Sequence, residues 1–285
     1  MSGNYFQSFD GAKIYYDKTV RDKNKWLIFL HGFGGDLTAW QKERAYFAKL
    51  GLSTIAMDLR GHGLSARSDK KDFYKLESFA KDVQMLIQHE SIKNAILVGH
   101  CFGGMVAIYF QAIFPNSSKG LILMDTSFKP PFIGNNLMAR VFLDKIFSLL
   151  LKVTPNIKEG SHADFNKFVG TSDLNFKRIL SDIMHTSLQS YLLLSKNLVN
   201  LDARELLDKI SVPTLVIEGK NDTIFPPKVA KYLHSRIKNS ELDLIEGANH
   251  IIVINNPDKL EKSIEEFLRK IKFLSSSARV NNSLS

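Results

Sequence analysis

The sequence predicts an α/β fold in which a mostly parallel sheet carries helices on both faces and a helical lid interrupts the sheet domain. Short apolar runs alternate with amphipathic helical patterns over most of the 285 residues, which is typical of parallel sheets with crossover helices. Between residues 127 and 208 only helical patterns remain, broken by prolines and glycines. We therefore expect a core built from residues 1–126 and 209–273, with the lid between its two parts. The Ser- and Asn-rich segment 274–285 is expected to be a disordered tail.

The elements of the core follow from hydrophobic periodicity in chain order. Residues 5–9 and 13–16 flank Asp10-Gly11 and predict a hairpin. Apolar runs predict further strands at 26–30, 53–57, 95–98, 121–124, 214–218 and 241–245. Helical patterns predict helices at 38–50, 76–89, 105–112, 226–237 and 257–273. The continuous runs 95–98 and 121–124 are typical of central strands that are buried on both faces.

A sharp turn is predicted at Cys101, which lies between the strand run 95–98 and the helical run 105–112. The sequence Gly-His-Cys-Phe-Gly at 99–103 has the G-x-S-x-G pattern of a nucleophile elbow, with sulfur in place of oxygen. Such an elbow holds its central residue in a strained backbone and projects its side chain from the end of the sheet. A buried structural cysteine is the commoner fate of a lone Cys, but motif and context together favour a nucleophile.

Two further residues have the positions expected of a base and an acid. His250 follows the strand run 241–245 in a glycine-containing loop, and Asp222 follows the run 214–218. Because the carboxyl ends of parallel strands meet at one edge of a sheet, both side chains are expected beside Cys101. The chain order of nucleophile, acid and base is one of the known orders of a catalytic triad.

Structural explanations exist for the same residues. His250 could be a histidine of a surface loop, and Asp222 could form an Asx turn or cap the following helix. Asp125, which follows the run 121–124, is an alternative acid, although anchoring the start of the lid suits its position better. The place of each residue directly after a strand favours the catalytic interpretation of Asp222 and His250.

Two backbone N–H groups are predicted to bind the negative charge that develops on a carbonyl oxygen. One belongs to Phe102, at the start of the helix after Cys101, where the helix dipole favours negative charge. The other belongs to Phe33, in the loop His-Gly-Phe-Gly-Gly at 31–35, whose glycines let the backbone approach a substrate. A loop that only turns the chain would also contain glycines, but its position after the run 26–30 favours an oxyanion hole.

Composition and motifs argue against several other classes of protein. The formal charge of +9 arises from lysines that are scattered over helices and loops, so a basic surface is favoured over a nucleic-acid site. The remaining histidines have no metal-ligand spacing and the glycine runs match no phosphate loop, so we expect no metal and no cofactor. The chain has one cysteine, a polar N-terminus and no apolar run of membrane length. We therefore expect a cytoplasmic monomer or homodimer without a membrane partner.

Taken together, these motifs resemble those of the α/β-hydrolase superfamily, specifically its lid-bearing esterases, lactonases and C–C hydrolases. The resemblance covers residues 6–271 and rests on HGFGG at 31–35, DLRGHG at 58–63, GHCFGG at 99–104, GKND at 219–222 and GANH at 247–250. It implies the α/β-hydrolase fold and a cofactor-free hydrolase that forms a covalent acyl-enzyme. Most members carry Ser where this chain has Cys101; dienelactone hydrolases are similar in using Cys but generally lack a long lid. The sequence leaves open whether Cys101 is natural or an introduced replacement of Ser.

The predicted function is hydrolysis of a small-molecule carboxylic ester or lactone through a triad of Cys101, His250 and Asp222. The lid is expected to supply an apolar pocket for a small or medium uncharged acyl group. The candidates for substrate binding are Phe128, Phe132, Met138 and Phe142. C–C bond hydrolysis of a diketone-like substrate uses the same triad, and a slow-turnover ligand-sensing protein could keep the same fold. An inactive scaffold is disfavoured because all three triad residue types are present.

Overall fold

One eight-stranded sheet organises the residues that the computed structural model describes, which are 3–131, 137–154 and 159–275. The strands are β1 (Asn4–Gln7), β2 (Lys13–Thr19), β3 (Trp26–Leu30), β4 (Ser53–Met57), β5 (Ala95–His100), β6 (Gly120–Met124), β7 (Thr214–Gly219) and β8 (Ser240–Ile245). Their spatial order is β1-β2-β4-β3-β5-β6-β7-β8. The pairs β1–β2 and β2–β4 are antiparallel, and every pair from β4 to β8 is parallel. The predicted mostly parallel sheet is therefore confirmed.

Helices connect the parallel strands and also form the segment between β6 and β7. They are α1 (Gln41–Lys49), α2 (Leu76–His89), α3 (Phe102–Ile113), α4 (Leu137–Val153), α5 (Phe176–Thr186), α6 (Leu188–Leu198), α7 (Arg204–Leu207), α8 (Pro227–Arg236), α9 (Ile252–Asn255) and α10 (Pro257–Lys270). We call residues 127–208 the insertion; it contains α4 to α7, and its described residues include no strand. The loss of alternation in the sequence thus corresponds to a helical segment.

Two apolar layers cover the two faces of the sheet. Ile28 and Leu97 pack on one face with residues of α2, α3 and α8, whereas Phe29 and Val98 pack on the other face with residues of α1 and α10. Successive strand residues point to opposite faces, so a strand that is covered on both sides needs an apolar residue at each position. Burying each such side chain stabilises the fold by about 1.5–3 kcal/mol. These layers fix the strands and therefore the rim at which their carboxyl ends meet.

The insertion is docked on the loops that follow β3 and β4. His162 Nε2 lies 2.7 Å from Asp58 Oδ2, and the Ala163 N–H donates to Asp36 Oδ2 at 2.7 Å. Thr38 Oγ1 donates to Ala163 O at 3.0 Å. Burial opposes a charge on His162, but the hydrogen bond and charge of Asp58 raise its pKa above the ordinary value. The core side of this contact thus consists of polar groups of the rim, from Asp36, Thr38 and Asp58.

The described chain ends close to the predicted end of the core. Leu274, which the sequence prediction assigned to a disordered tail, is 4% exposed and packs in the apolar layer of α10, so this assignment is wrong. The remainder of that predicted tail, residues 276–285, lies outside the described residues. Across the described ranges, the helices lack the combination of length and apolar character that crossing a bilayer requires.

Candidate active site

Cys101 occupies the turn between β5 and α3. Its φ of 51° and ψ of −113° are strained for a residue with a Cβ atom. The Cys101 N–H donates to Met124 O at 2.9 Å, and Thr126 Oγ1 donates to Cys101 O at 2.5 Å. Both partners come from the end of β6 and the residues after it. The neighbouring strand therefore holds the strained turn in place.

Two glycines allow α3 to begin so close to the sheet. A Cβ atom on Gly103 would lie 2.1 Å from Leu30 O, and one on Gly99 would lie 2.5 Å from Gly103 O. Neither glycine has a positive φ, so space and not backbone conformation requires glycine at both positions. The G-x-C-x-G pattern is therefore a packing requirement of the elbow.

Asp222 and His250 meet at the same rim, after β7 and β8. His250 Nδ1 lies 2.7 Å from Asp222 Oδ2. Asp222 Oδ1 accepts the N–H groups of Ile224 at 2.6 Å and Phe225 at 2.8 Å, so its own loop fixes the carboxylate. The other ring nitrogen of His250 is left for Cys101, with which the imidazole shares a hydrogen bond. The structure thus brings together the three residues that the sequence analysis proposed as a triad.

The pKa shifts of the acid and the base both favour charged side chains. Burial alone would lower the pKa of His250, but the charge of Cys101 and its contacts with Cys101 and Asp222 raise that pKa well above the ordinary value. Burial would raise the pKa of Asp222, yet the hydrogen bond and charge of His250 lower it below the ordinary value. A protonated imidazole between a carboxylate and a sulfur is the arrangement that favours a reactive thiolate.

Two histidines of the HGFGG and GHCFGG motifs, His31 and His100, hold the loops of the site. His31 Nδ1 lies 2.8 Å from Gly32 O, and His31 Nε2 accepts the Leu59 N–H at 3.0 Å; Nδ1 therefore carries the proton. His100 Nε2 donates to His250 O at 2.7 Å. Burial lowers the pKa of His100 to about 3, so this ring is neutral. Both rings therefore hold backbone segments in place beside the rim.

The two backbone groups predicted for an oxyanion hole lie next to the elbow. Phe33 and Phe102 both line the cavity that contains Cys101. A Cβ atom on Gly32 would lie 3.4 Å from Cys101 Cβ, so the loop of Phe33 contacts the elbow directly. Gly34 has a φ of 77°, which turns this loop. No hydrogen-bond acceptor within the described ranges takes the N–H of Phe33 or of Phe102, so both donors are available to a ligand.

Two further carboxyl groups, those of Asp125 and Glu218, lie close to the carboxyl group of Asp222. Atoms of Asp125, Glu218 and Asp222 lie within 4.8 Å of one another. Asp125 accepts the Gly219 N–H at 2.8 Å and lies 4.0 Å from His100 Nε2, whereas Asp222 bonds the ring of His250. Burial raises the pKa of Asp125 to about 8, and burial together with the neighbouring carboxylates raises that of Glu218 still further. Because three buried carboxylates cannot all be charged, Asp125 and Glu218 hold protons and Asp222 keeps its charge.

Glu218 was missed by the sequence analysis. Its side chain is fully buried, and its hydrogen-bond partners are the carboxyl groups of Asp125 and Asp222. The only signal in the sequence was a charged residue at the end of an otherwise apolar strand run. This signal indicates a buried titratable group but does not say which neighbours share its proton.

A cavity of about 420 Å³ lies between the rim and the insertion. Cys101 and His250 lie in its wall on the rim side. Apolar side chains from the insertion line most of the opposite wall: Pro130, Pro131, Leu143, Phe147, Leu174, Ile179, Leu198 and Val199. The volume falls within the usual range for sites that bind small molecules.

One side of the cavity is polar, which the sequence analysis did not predict. Arg178 Nη1 donates to Asp182 Oδ2 at 3.0 Å, and Tyr191 lies beside them. Burial raises the pKa of Asp182 to about 7 and that of Tyr191 to about 12. The i,i+4 spacing of Arg178 and Asp182 was visible in the sequence, but such pairs are common on solvated helix faces.

The prediction that Met138 and Phe142 bind substrate is wrong for the described structure. Their side chains lie on the outer face of α4 and are 83% and 65% exposed. Leu143 and Phe147 of the same helix line the cavity instead. Neighbouring helix positions differ by about 100° in direction, so the side of α4 that faces the rim depends on how the helix packs.

Phe128, a third predicted substrate residue, does not line the cavity either. Phe128 is buried, but its ring packs on the ring of Tyr232 with a centroid distance of 4.8 Å and does not line the cavity. Phe128 is therefore a core contact between the insertion and α8, and its predicted role in substrate binding is wrong. Phe132 lies outside the described residues.

Three clusters in the described part of the chain bring His, Asp or Glu side chains close enough to share a metal ion. They are His100, Asp125 and His250; Asp36, Asp58 and His162; and Asp125, Glu218 and Asp222. The first contains His250 and the third contains Asp222, and these two residues bond each other. The second accepts backbone N–H groups and docks the insertion. Several of these ligand atoms therefore already bond protein groups, and a site without metal stays the prediction.

Relatives with named activities match nearly the whole chain. The chain is 28% identical over 247 residues to 3-oxoadipate enol-lactonase 2 of Acinetobacter baylyi, which covers 86% of this chain and 88% of that protein. It is 26% identical over 282 residues to the bifunctional esterase/perhydrolase DCH of Acinetobacter calcoaceticus, which covers 93% of this chain and 99% of that protein.

Solved structures share the same fold over nearly the whole chain. An esterase from Thermogutta terrifontis superposes with a TM-score of 0.75 at 23% identity, over 95% of this chain and 99% of that one. The enol-lactonase from Burkholderia xenovorans LB400 gives a TM-score of 0.71 at 21% identity, over 93% and 99%. The family profile described as alpha/beta hydrolase fold matches residues 25–257. With this match, the eight-stranded sheet and the elbow, the chain belongs to the α/β-hydrolase fold family.

Proposed function

We propose that this chain is a carboxylic ester hydrolase of the esterase or lactonase type, with Cys101 as nucleophile, His250 as base and Asp222 as orienting acid. The observation that carries the proposal is their convergence at one rim, with two available N–H donors beside the sulfur and a cavity above it. The named relatives, an enol-lactonase and an esterase/perhydrolase, support the same reaction class.

In the acylation step, His250 holds the proton of the Cys101 thiol as an imidazolium and the thiolate attacks the ester carbonyl carbon. The N–H groups of Phe33 and Phe102 bind the oxyanion of the tetrahedral intermediate, an interaction worth about 3 kcal/mol per donor in a site that excludes water. When the intermediate collapses, the carbon–oxygen bond to the alcohol breaks and His250 protonates the leaving oxygen. The products of this step are an alcohol and a thioester on Cys101.

In the deacylation step, neutral His250 removes a proton from water and the resulting hydroxide attacks the thioester. The same two N–H groups bind the second oxyanion. Collapse breaks the carbon–sulfur bond, releases the carboxylic acid and restores the thiolate beside the imidazolium. Asp222 holds the ring in one orientation and stabilises its charge during both steps.

The insertion is proposed to act as the lid that selects the substrate. Its apolar side chains form most of the cavity wall opposite Cys101, so a small or medium uncharged acyl group fits best. Polar side chains make up the smaller part of the lining and include Arg178, Asp182 and Tyr191. We therefore expect short aliphatic or aromatic esters and lactones to be better substrates than long polar ones.

The test is the hydrolysis of short p-nitrophenyl esters and of lactones by the wild-type chain and by Cys101→Ala. The substitution is expected to lower kcat/KM by at least about 1,000-fold because the nucleophile is lost. Thermal unfolding of both proteins shows that the variant is folded. Undiminished multiple turnover by Cys101→Ala would remove Cys101 from the mechanism.

Two other outcomes of the same assay would replace the proposal. Faster cleavage of a diketone panel than of any ester would identify a C–C hydrolase with the same triad. A single turnover that ends in a stable Cys101 adduct, seen as a mass increase of the intact protein, would identify a slow ligand-sensing protein.

A further inference from the structure

Asp173 lies in the insertion, yet its carboxylate contacts both loops that carry the acid and the base. Its Oδ1 accepts the His250 N–H at 2.9 Å. Its Oδ2 accepts the Thr223 N–H at 2.9 Å and the Thr223 hydroxyl at 2.7 Å. Thr223 directly follows the acid Asp222 in the chain. One side chain therefore joins the backbone of the base to the residue next to the acid.

The position of Asp173 is itself fixed by neighbouring contacts between the insertion and the core. Thr171 O accepts hydrogen bonds from Asn249 Nδ2 at 3.1 Å and Asn255 Nδ2 at 3.0 Å. The Gly170 N–H donates to Asn255 Oδ1 at 2.8 Å. Residues 170–173 are thus docked along the segment that contains His250, and we call them the docking stretch.

Because Asp173 is buried, its carboxylate is stable only when hydrogen-bond donors of the neighbouring loops reach it. Asp173 is 4% exposed, and a buried carboxylate is unfavourable unless hydrogen-bond donors compensate it. All three of its donors belong to the loops of the acid and the base. The carboxylate is compensated only when both loops occupy the positions that place His250 Nδ1 2.7 Å from Asp222.

We propose that Asp173 is a positioning residue that couples the insertion to the triad, so that the sheet alone does not complete the catalytic geometry. This inference rests on the proposed function and deepens it. The core has its own link between the two loops, because the Asn221 N–H donates to Ala248 O at 2.8 Å. Loss of Asp173 therefore loosens the geometry and does not abolish it.

A chain of polar contacts extends from the docking stretch into the cavity. Arg178 Nη2 donates to Asp173 O at 2.7 Å, and its Nη1 donates to Asp182. Arg178 and Asp182 both line the cavity above Cys101. A substrate that contacts this polar side of the cavity therefore touches the same network that holds the triad loops.

Alkylation of Cys101 by iodoacetamide tests the inference without any substrate. Cys101 is the only cysteine of the chain, so the mass of the intact protein reports on this sulfur alone. The thiolate is the reactive form of a cysteine and a neighbouring imidazolium favours it, so the alkylation rate below neutral pH is expected to depend on the placement of His250. We expect Asp173→Asn, which keeps the volume but removes one acceptor, to lower the alkylation rate at pH 6 by about 10-fold, as a small misplacement of reacting groups does.

The pH profile separates positioning from a general structural effect. At about pH 10 the thiol ionises without help from an imidazolium, so the Asp173→Asn rate is expected to approach that of the wild type. The ring of His250 faces Cys101, Asp222, His100 and Asp125, and the substitution alters none of these groups. A rate that is lowered equally at every pH would indicate changed access to the sulfur and would overturn the inference.

Asp164→Asn is the matched control because Asp164 is an aspartate of the insertion that is half exposed and caps a short helical turn. Its alkylation profile is expected to match that of the wild type. Thr223→Val removes only the hydroxyl donor and serves if Asp173→Asn unfolds; its rate at pH 6 is expected to fall about 3-fold, as for the loss of one hydrogen bond. Wild-type profiles for both Asp173→Asn and Thr223→Val would overturn the inference.

Failure of the inference and failure of the proposed function give different results. If wild-type protein hydrolyses esters and the Asp173→Asn profile is unchanged, the proposed function stands and the role of Asp173 is rejected. If the wild-type alkylation profile equals that of His250→Ala, no imidazole activates Cys101 and both proposals are rejected.

Discussion

The rim of the sheet and the insertion above it place their important side chains in different ways. At the rim, Cys101, Asp222 and His250 each follow a strand that apolar layers hold on both faces. In the insertion, α4 turns Phe147 towards the cavity and leaves Phe142 65% exposed. A strand end gives a residue one possible location, whereas a helix offers several faces and only packing selects one. The rim can therefore be predicted from local sequence, and the insertion cannot.

Glycine substitutions provide the largest expected contrast between the two regions. Gly103→Ala places a Cβ atom 2.1 Å from Leu30 O, so α3 must move away from the sheet and we expect a loss of about 3 kcal/mol or more in the free energy of unfolding. Gly170→Ala in the insertion meets nothing within 4 Å but has a φ of 77°, so it should cost only about 1 kcal/mol. Urea unfolding of both variants measures the difference. Equal losses would show that the elbow is not packed more tightly than the insertion.

A pair of phenylalanines on α4 tests which face of the insertion binds substrate. Phe147→Ala removes part of the apolar cavity wall and is expected to raise KM for a short apolar ester about 10-fold, which corresponds to roughly 1.4 kcal/mol of lost binding. Phe142→Ala removes an exposed side chain and should leave KM within about 2-fold. Steady-state kinetics on the two variants decides between the faces. A larger effect of Phe142→Ala would restore the original prediction.

The buried carboxyl group of Glu218 gives a smaller and pH-dependent effect at the rim. Its pKa is raised in the folded protein by burial and by Asp125 and Asp222, so above the unfolded value of 4.5 the folded chain holds a proton that the unfolded chain has lost. Stability then falls as the pH rises. Glu218→Gln does not titrate, so its stability relative to the wild type should rise steadily as the pH increases from 5 to 8.

The matched control for this experiment lies in the insertion. Glu205 is exposed on α7, and Glu205→Gln should leave the pH dependence of unfolding unchanged. Thermal unfolding from pH 4 to pH 8 measures all three proteins. If the wild type and Glu218→Gln follow parallel stability curves, Glu218 is not the residue that holds the buried proton.

Particular residues show which features of the structure could be predicted from the sequence and which could not. The elbow was visible because a strand, two glycines and a helix are contiguous around Cys101, and the structure explains both glycines by contacts of that turn. Asp173 gave no such signal, because the two residues that donate to its carboxylate, Thr223 and His250, lie 50 and 77 residues away in the chain.

The sequence by itself determined the α/β architecture, the position of the elbow and the three loops that end at one rim. These features depend on alternation within strands and on motifs of a few adjacent residues, which obey the same local rules in any context. The tertiary structure alone decided which face of α4 lines the cavity, which carboxyl groups hold protons and how Asp173 joins the loops of the acid and the base. Those outcomes depend on distances between segments far apart in the chain and on the burial that their packing creates, and neither quantity is encoded in a local pattern.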